Sequence, residues 1–100
     1  MIKHILLWKF KDEYKINSVD YANKIKTLNN MFKGMIGIVD GLINAEIGKS
    51  INNGPYDIVL YSEFIDKQSL DNYKIHPLHL EVKNISKDWV TEKTVIDYNI

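Results

Sequence analysis

Apolar and polar residues alternate from the second residue onward. Ile2, His4, Leu6, Trp8 and Phe10 fall on one face of Ile2–Phe10, and Lys3, Ile5, Leu7 and Lys9 on the other. A period of two predicts a strand, and apolar residues on both faces predict a central one. Lys11–Asn17 is polar and reads as a loop. The spacing then changes to three and four, with Val19, Ala22, Ile25, Leu28 and Phe32 predicting a helix to about Phe32 or Lys33. Asn17 or Ser18 caps its start, and Gly34 and Gly37 end it. Ile38–Lys49 is a second strand, with Val39, Ile43, Ala45 and Ile47 on one face and Gly41 marking a bulge. Asn52–Asn53–Gly54–Pro55 is a strong turn signal before a third strand, Tyr56–Phe64, which implies an antiparallel pair.

Asp66 caps a short helix that carries Leu70 and Tyr73. Pro77 stops it by pushing His76 out of helical conformation, and the same proline suits the first position of a new helix. Leu78, Val82, Ile85 and Trp89 form one stripe on that helix, and Glu92–Tyr98, holding Val95 and Ile96, closes the chain as a strand. The order is β-α-β-β-α-β with the second helix broken at Pro77. This predicts an α+β, ferredoxin-like fold with a four-stranded antiparallel sheet, read as one domain over residues 1–100. Helices of such a fold cover one face of the sheet, yet strands one and three are apolar on both. A homodimer packed sheet to sheet would cover the second face.

Composition narrows the function classes. The chain has 100 residues, 45% hydrophobic and 26% charged, which suits one globular core. Thirteen basic and thirteen acidic residues give a formal net charge of zero, so the electrostatic footprint of a nucleic-acid binder is missing. No apolar run reaches the roughly 20 residues of a membrane span, and Met1–Ile2–Lys3–His4 does not read as a signal peptide. The absence of cysteine rules out disulfides, a thiolate nucleophile and Cys-type zinc sites, and fits a cytoplasmic location.

All three histidines lie at His4 and in Tyr73–Lys74–Ile75–His76–Pro77–Leu78–His79. His76 is either a residue fixed at a helix boundary by its proline or part of a site. His79 is either a surface residue of the first helical turn or a base. Counted from Pro77 it is the third helical residue, where the positive end of the helix dipole disfavours the imidazolium and keeps a neutral ring available. His4 is either a satisfied core histidine or, if its face looks toward the helices, a partner for His79 across one cavity. Tyr73 would add a phenolic donor, and such a set can deprotonate an acidic carbon and polarise a carbonyl. A His-based metal site is not expected, because His76 precedes the proline and shares no helix face with His79. The glycines match no phosphate-binding spacing, and no serine has a nucleophile-elbow context.

In this order the elements resemble the stress-responsive A/B barrel family, the dimeric α+β barrel proteins abbreviated Dabb. The resemblance rests on the opening Ile2–Asp12, on Met35–Ile36–Gly37–Ile38 standing for the family's Ile-Pro-Gly-Ile, and on Ala45–Lys49 and Tyr56–Phe64. It rests most specifically on Tyr73, His76, Pro77 and His79, the family's Tyr-x-x-His-Pro-x-His signature, and closes on Val95–Ile96–Asp97–Tyr98. The resemblance implies a dimeric barrel of unassigned activity, binding a small hydrophobic, carbonyl-bearing ligand between sheet and helices. One plant branch of the family closes a linear tetraketide into a dihydroxybenzoic acid without a cofactor. Carried over from that branch, His4, Tyr73 and His79 would be the catalytic residues of a cyclase-like lyase. Leu6, Trp8, His76 and Leu78 are the expected ligand-binding residues, and no cofactor or metal is called for. That branch also has a His near the start of strand three, where this chain has Asp57. A structural stress protein acting through oligomerisation is the other reading.

Overall fold

The computed structural model describes all residues, Met1–Ile100. Four strands, β1 (Ile2–Phe10), β2 (Leu42–Lys49), β3 (Ile58–Phe64) and β4 (Val90–Asn99), form one sheet in the order β2-β3-β1-β4. Every neighbouring pair is antiparallel. Three helices, α1 (Ser18–Lys33), α2 (Lys67–Lys74) and α3 (Pro77–Ser86), complete the β-α-β-β-α-β order with the expected break before Pro77. One turn of 3-10 helix, Asp12–Tyr14, lies in the segment read as a loop.

The register sorts the residues of β1 as its alternation predicts. His4 lies opposite Ser62 and Asp97, Leu6 opposite Leu60 and Val95, and Trp8 opposite Ile58 and Lys93. These residues face the helices, where Trp8, Phe10, Leu60 and Phe64 join Leu28, Phe32, Leu70 and Val82 in the core. Ile5, Leu7, Val59, Tyr61 and Ile96 occupy the alternate register positions on the other face, which no helix covers.

Helix α1 begins as predicted: the Asn17 side chain accepts from the backbone N–H groups of Val19 at 3.0 Å and Asp20 at 3.1 Å. Its buried stripe is Tyr21, Leu28 and Phe32 with Ile25 partly covered, whereas Val19 and Ala22 are exposed. At about 100° per residue, positions 21, 25, 28 and 32 fall within one narrow arc and position 22 lies well outside it. The helix also protects an edge strand, since the Asn29 side chain accepts from the Ile47 backbone N–H of β2 at 3.0 Å.

Strand β2 starts at Leu42 rather than Ile38. The preceding residues turn tightly, burying Met35 and Val39, with the Val39 N–H donating to the Met35 carbonyl at 2.8 Å. The register slips between Leu42 and Asn44, so the irregularity falls at exposed Ile43 and not at Gly41. Gly41 has a different task. Its φ is +80°, and a Cβ there would lie 2.0 Å from Ser69 Oγ of α2. Strand β4 starts two residues earlier than predicted, at Val90, and Trp89 lies beyond α3, its ring 6.3 Å from that of Phe10. The place expected for an apolar residue late in α3 is filled by buried Ser86, whose hydroxyl donates to the Val82 carbonyl at 2.8 Å.

Gly37 and Gly41 separate backbone strain from steric overlap, because a Cβ at Gly37 (φ +88°) meets nothing within 4 Å. Gly37→Ala is expected to cost the left-handed penalty alone, roughly 1–2 kcal/mol. Gly41→Ala is expected to cost clearly more, since α2 must also shift. Urea unfolding of the two variants measures the difference, and equal costs would contradict the packing of α2 against this turn.

Candidate functional site

The site forms where β1 and β4 pass under α2 and α3. Asp66 starts α2 by accepting from the Ser69 N–H at 2.8 Å, a bond that holds its carboxyl below the usual range. The helix buries Leu70 and Tyr73 and ends one residue later, at Lys74. His76 then caps α3, its Nδ1 accepting from the Leu78 backbone N–H at 3.1 Å, with Pro77 in the first turn. The chain thereby doubles back, so that Tyr73 at the end of one helix meets His79 at the start of the next.

Their rings lie 4.3 Å apart, and Tyr73 also stands edge-on to His4 at 5.9 Å. His4, Tyr73 and His79 therefore form a continuous row, and all three line one pocket of about 440 Å³. Leu6, Trp8, Phe32, Val82 and Val90 supply its apolar wall. Of the residues expected to bind ligand, Leu6 and Trp8 line this pocket and His76 and Leu78 do not. The ring of His76 is turned to its own helix as a cap, and Leu78 packs on the core beside a second, shallower groove that includes Met35.

Each imidazole of the row has a defined partner. Nδ1 of His4 lies 2.5 Å from Oδ1 of Asp97, and the His4 ring is buried. A carboxylate accepts only, so Nδ1 carries the hydrogen and Nε2 is the remaining nitrogen. Asp97 was not singled out in the sequence. The signal was present: in Val95–Ile96–Asp97–Tyr98, Asp97 shares a face with Val95, an acidic residue on a core-facing register opposite His4.

Nδ1 of His79 lies 3.1 Å from the Lys74 carbonyl oxygen, which fixes the same tautomer and leaves Nε2 as a lone pair. Burial pushes the His79 imidazolium down from its ordinary 6.5, and the charges of Lys83, His4 and Lys93 add to the effect against the opposing carbonyl. The direction is the one read from the helix position, but desolvation is its leading cause. Burial pushes the Tyr73 phenol well up, so it remains a protonated donor. Its oxygen has no hydrogen-bond partner within the chain, and no enclosed side-chain polar atom is orphaned, so this hydroxyl keeps access to open space.

Asp57 lies outside the pocket. Its carboxylate accepts from the Phe10 backbone N–H at 2.9 Å and from Lys15 Nζ at 3.2 Å, which ties the end of β1 to the start of β3. Where the resemblance would place another histidine, this chain has a structural carboxylate. No group of three His, Asp or Glu side chains is arranged to hold a metal ion. No helix is long and apolar enough to cross a membrane.

Against known proteins, residues 2–100 match the family model described as the Stress Responsive A/B Barrel Domain. A stress-response A/B barrel domain-containing protein of Arabidopsis thaliana is 26% identical over 101 residues, covering 97% of this chain and 87% of that protein. Among solved structures, a dimeric protein of unknown function with a ferredoxin-like fold from Bacteroides fragilis superposes with a TM-score of 0.85 at 23% identity, covering 99% and 95% of the two chains. A Dabb family protein of ferredoxin-like fold from Mesorhizobium loti gives 0.74 at 22% identity, covering 99% and 95%.

The depressed imidazolium of His79 has a stability consequence. Above 6.5 the ring is neutral whether the chain is folded or unfolded. As pH falls below that value the unfolded chain takes up a proton that the folded chain resists, so stability is lost on acidification. Urea unfolding at about pH 7 and about pH 5.5 is expected to show a larger loss for the parent than for His79→Gln. Equal losses would mean that the ring is hydrated.

Proposed function

The chain belongs to the stress-responsive A/B barrel domain family, and we propose that its pocket binds a small hydrophobic, carbonyl-bearing molecule and exchanges a proton with the carbon beside that carbonyl. The observation that carries this is the row His4–Tyr73–His79 lining one pocket beside the apolar wall of Leu6, Trp8, Phe32, Val82 and Val90. A pocket of 440 Å³ is at the small end of the usual ligand range, roughly 300–1,000 Å³. The Tyr73 hydroxyl, protonated and without a partner in the chain, donates to the ligand carbonyl. The lone pair on His79 Nε2 takes the proton from the adjacent carbon, and the electron pair moves onto the carbonyl oxygen, where Tyr73 holds the enolate. His4, oriented by Asp97, closes the far side of the same wall, and its Nε2 can accept from the ligand's second polar group.

A simple ketone tests the reading. In deuterated buffer, the protein is expected to speed exchange of the α-hydrogens of 2-heptanone, followed by NMR. Tyr73→Phe should lower the acceleration about 10- to 100-fold and His79→Gln about 100-fold or more. Binding with no acceleration would leave a binding protein and remove the acid–base role.

The same reading assigns the uncovered sheet face to a second copy of the chain. Ile5, Leu7, Val59 and Tyr61 form its centre, and Ile96 is 61% exposed in the single chain. The Bacteroides fragilis relative, similar over nearly its whole length, is a dimer. Sedimentation at micromolar concentration is expected to give twice 11.7 kDa, and Leu7→Lys with Val59→Lys is expected to give the monomer. A parent chain that sediments as a monomer would remove this face from the assembly.

A further inference from the structure

All thirteen basic residues of this neutral chain are lysines. Lys3, Lys15 and Lys67 form ion pairs with carboxylates. Four others, Lys74, Lys83, Lys87 and Lys93, line the pocket, and none of the four is in an ion pair. Asp97 is the single carboxylate among the lining residues, and His4 engages it. The pocket therefore concentrates positive charge in a molecule that has no net charge.

Helix electrostatics explain part of this cluster. Lys74 ends α2, and Lys83 and Lys87 lie at the end of α3, where the dipole favours cations. Lys93 has no such reason. It occupies a helix-facing register of β4 directly opposite Trp8, between positions filled by Val90 and Val95. It lines the pocket together with the helix lysines. Three elements thus bring four unpaired cations to a pocket whose interior is apolar.

Resting on the reading of this pocket as a ligand site, we propose that its ligand is an amphipathic anion. An apolar body would lie against Leu6, Trp8 and Phe32, and a carboxylate or similar anionic head would sit among Lys83, Lys87 and Lys93, with Lys74 adding positive charge at the Tyr73 end. An uncharged ketone would fill only half of the site's chemistry. The lysines also set polarity: the head is held at the α3 and β4 end, which turns the rest of the ligand toward Tyr73 and His79.

Octanoate, octanol and octyl phosphate, titrated calorimetrically at neutral pH and low salt, test this. Octanoate is expected to bind at least tenfold more tightly than octanol, and raising the salt should erode the difference. Lys83→Glu combined with Lys93→Glu, both at exposed positions, should weaken octanoate about tenfold or more and leave octanol unchanged. Tighter binding of octyl phosphate than octanoate would support the anion site and assign it to phosphate-terminated ligands. Equal binding of octanoate and octanol would overturn the anion proposal while the apolar pocket stands, and binding of none of the three probes would overturn both.

Discussion

Strand β1 has hydrogen-bonded neighbours on both edges, and its side chains alternate between two faces that are both in use. That constraint governs the rest of the molecule. One set, His4, Leu6 and Trp8, makes the floor of the pocket, and the other, Ile5 and Leu7, makes the centre of the uncovered face. A slip of one residue would exchange the two sets and put Lys3 and Lys9 into the core. The register is held by more than the ladder. Ser62 Oγ donates to the His4 carbonyl at 3.0 Å, and Asp57 grips the Phe10 N–H at the strand's far end. On the outer face, Lys3, Tyr61 and Glu63 bond to one another across the β1–β3 pair.

Upon that floor the break between α2 and α3 builds the wall. A continuous helix would carry position 79 about 600° past position 73, leaving the two faces about 120° apart. The His76 cap and Pro77 restart the helix on a new axis, and the two rings come to 4.3 Å. The Lys74 carbonyl, freed from helical bonding by the same break, becomes the acceptor that fixes the His79 tautomer. One local rule of backbone chemistry thus positions the His79 ring, selects its free nitrogen and presents the phenol beside it. Gly41 performs a comparable service from outside, letting Ser69 of α2 pack onto the turn before β2.

Much of this was legible in the sequence because it follows from short-range rules. The alternation of Ile2–Phe10, the Asn17 and Asp66 caps and the His76–Pro77 boundary each need only a few neighbouring residues, and each appears where the pattern put it. The misreadings have a common origin in tertiary packing. Its period places Val39 in β2, but it is buried in the turn between Gly37 and Gly41, where burial and strand geometry part company. Ala22 was placed in the α1 stripe by spacing alone, although Tyr21 is the larger apolar residue and takes the buried position. Asp97 went unnoticed because its meaning depends on a partner 93 residues away in sequence. His76 and Leu78 belong to a motif whose members serve different ends, one capping and one packing, while Tyr73, Lys74 and His79 line the pocket.

The departure at Asp57 bears on what chemistry remains. A histidine at that position could not replace both bonds that Asp57 makes, because imidazole offers one acceptor nitrogen where the carboxylate accepts from Phe10 N–H and Lys15 together. The position is therefore committed to holding β1 and β3 in register. On the proposed reading, acid–base work in this chain would fall to two imidazoles in contrasting surroundings. His4 shares its Nδ1 with a carboxylate in a buried slot, and His79 shares its Nδ1 with a carbonyl under the influence of nearby lysines. A cationic surround disfavours a second positive charge on His79 and favours negative charge that develops on a bound ligand. Lys83 and Lys93, which lower the proton affinity of His79, are thus groups that would steady an enolate or a carboxylate, so on the proposed reading proton removal and anion binding would draw on one field.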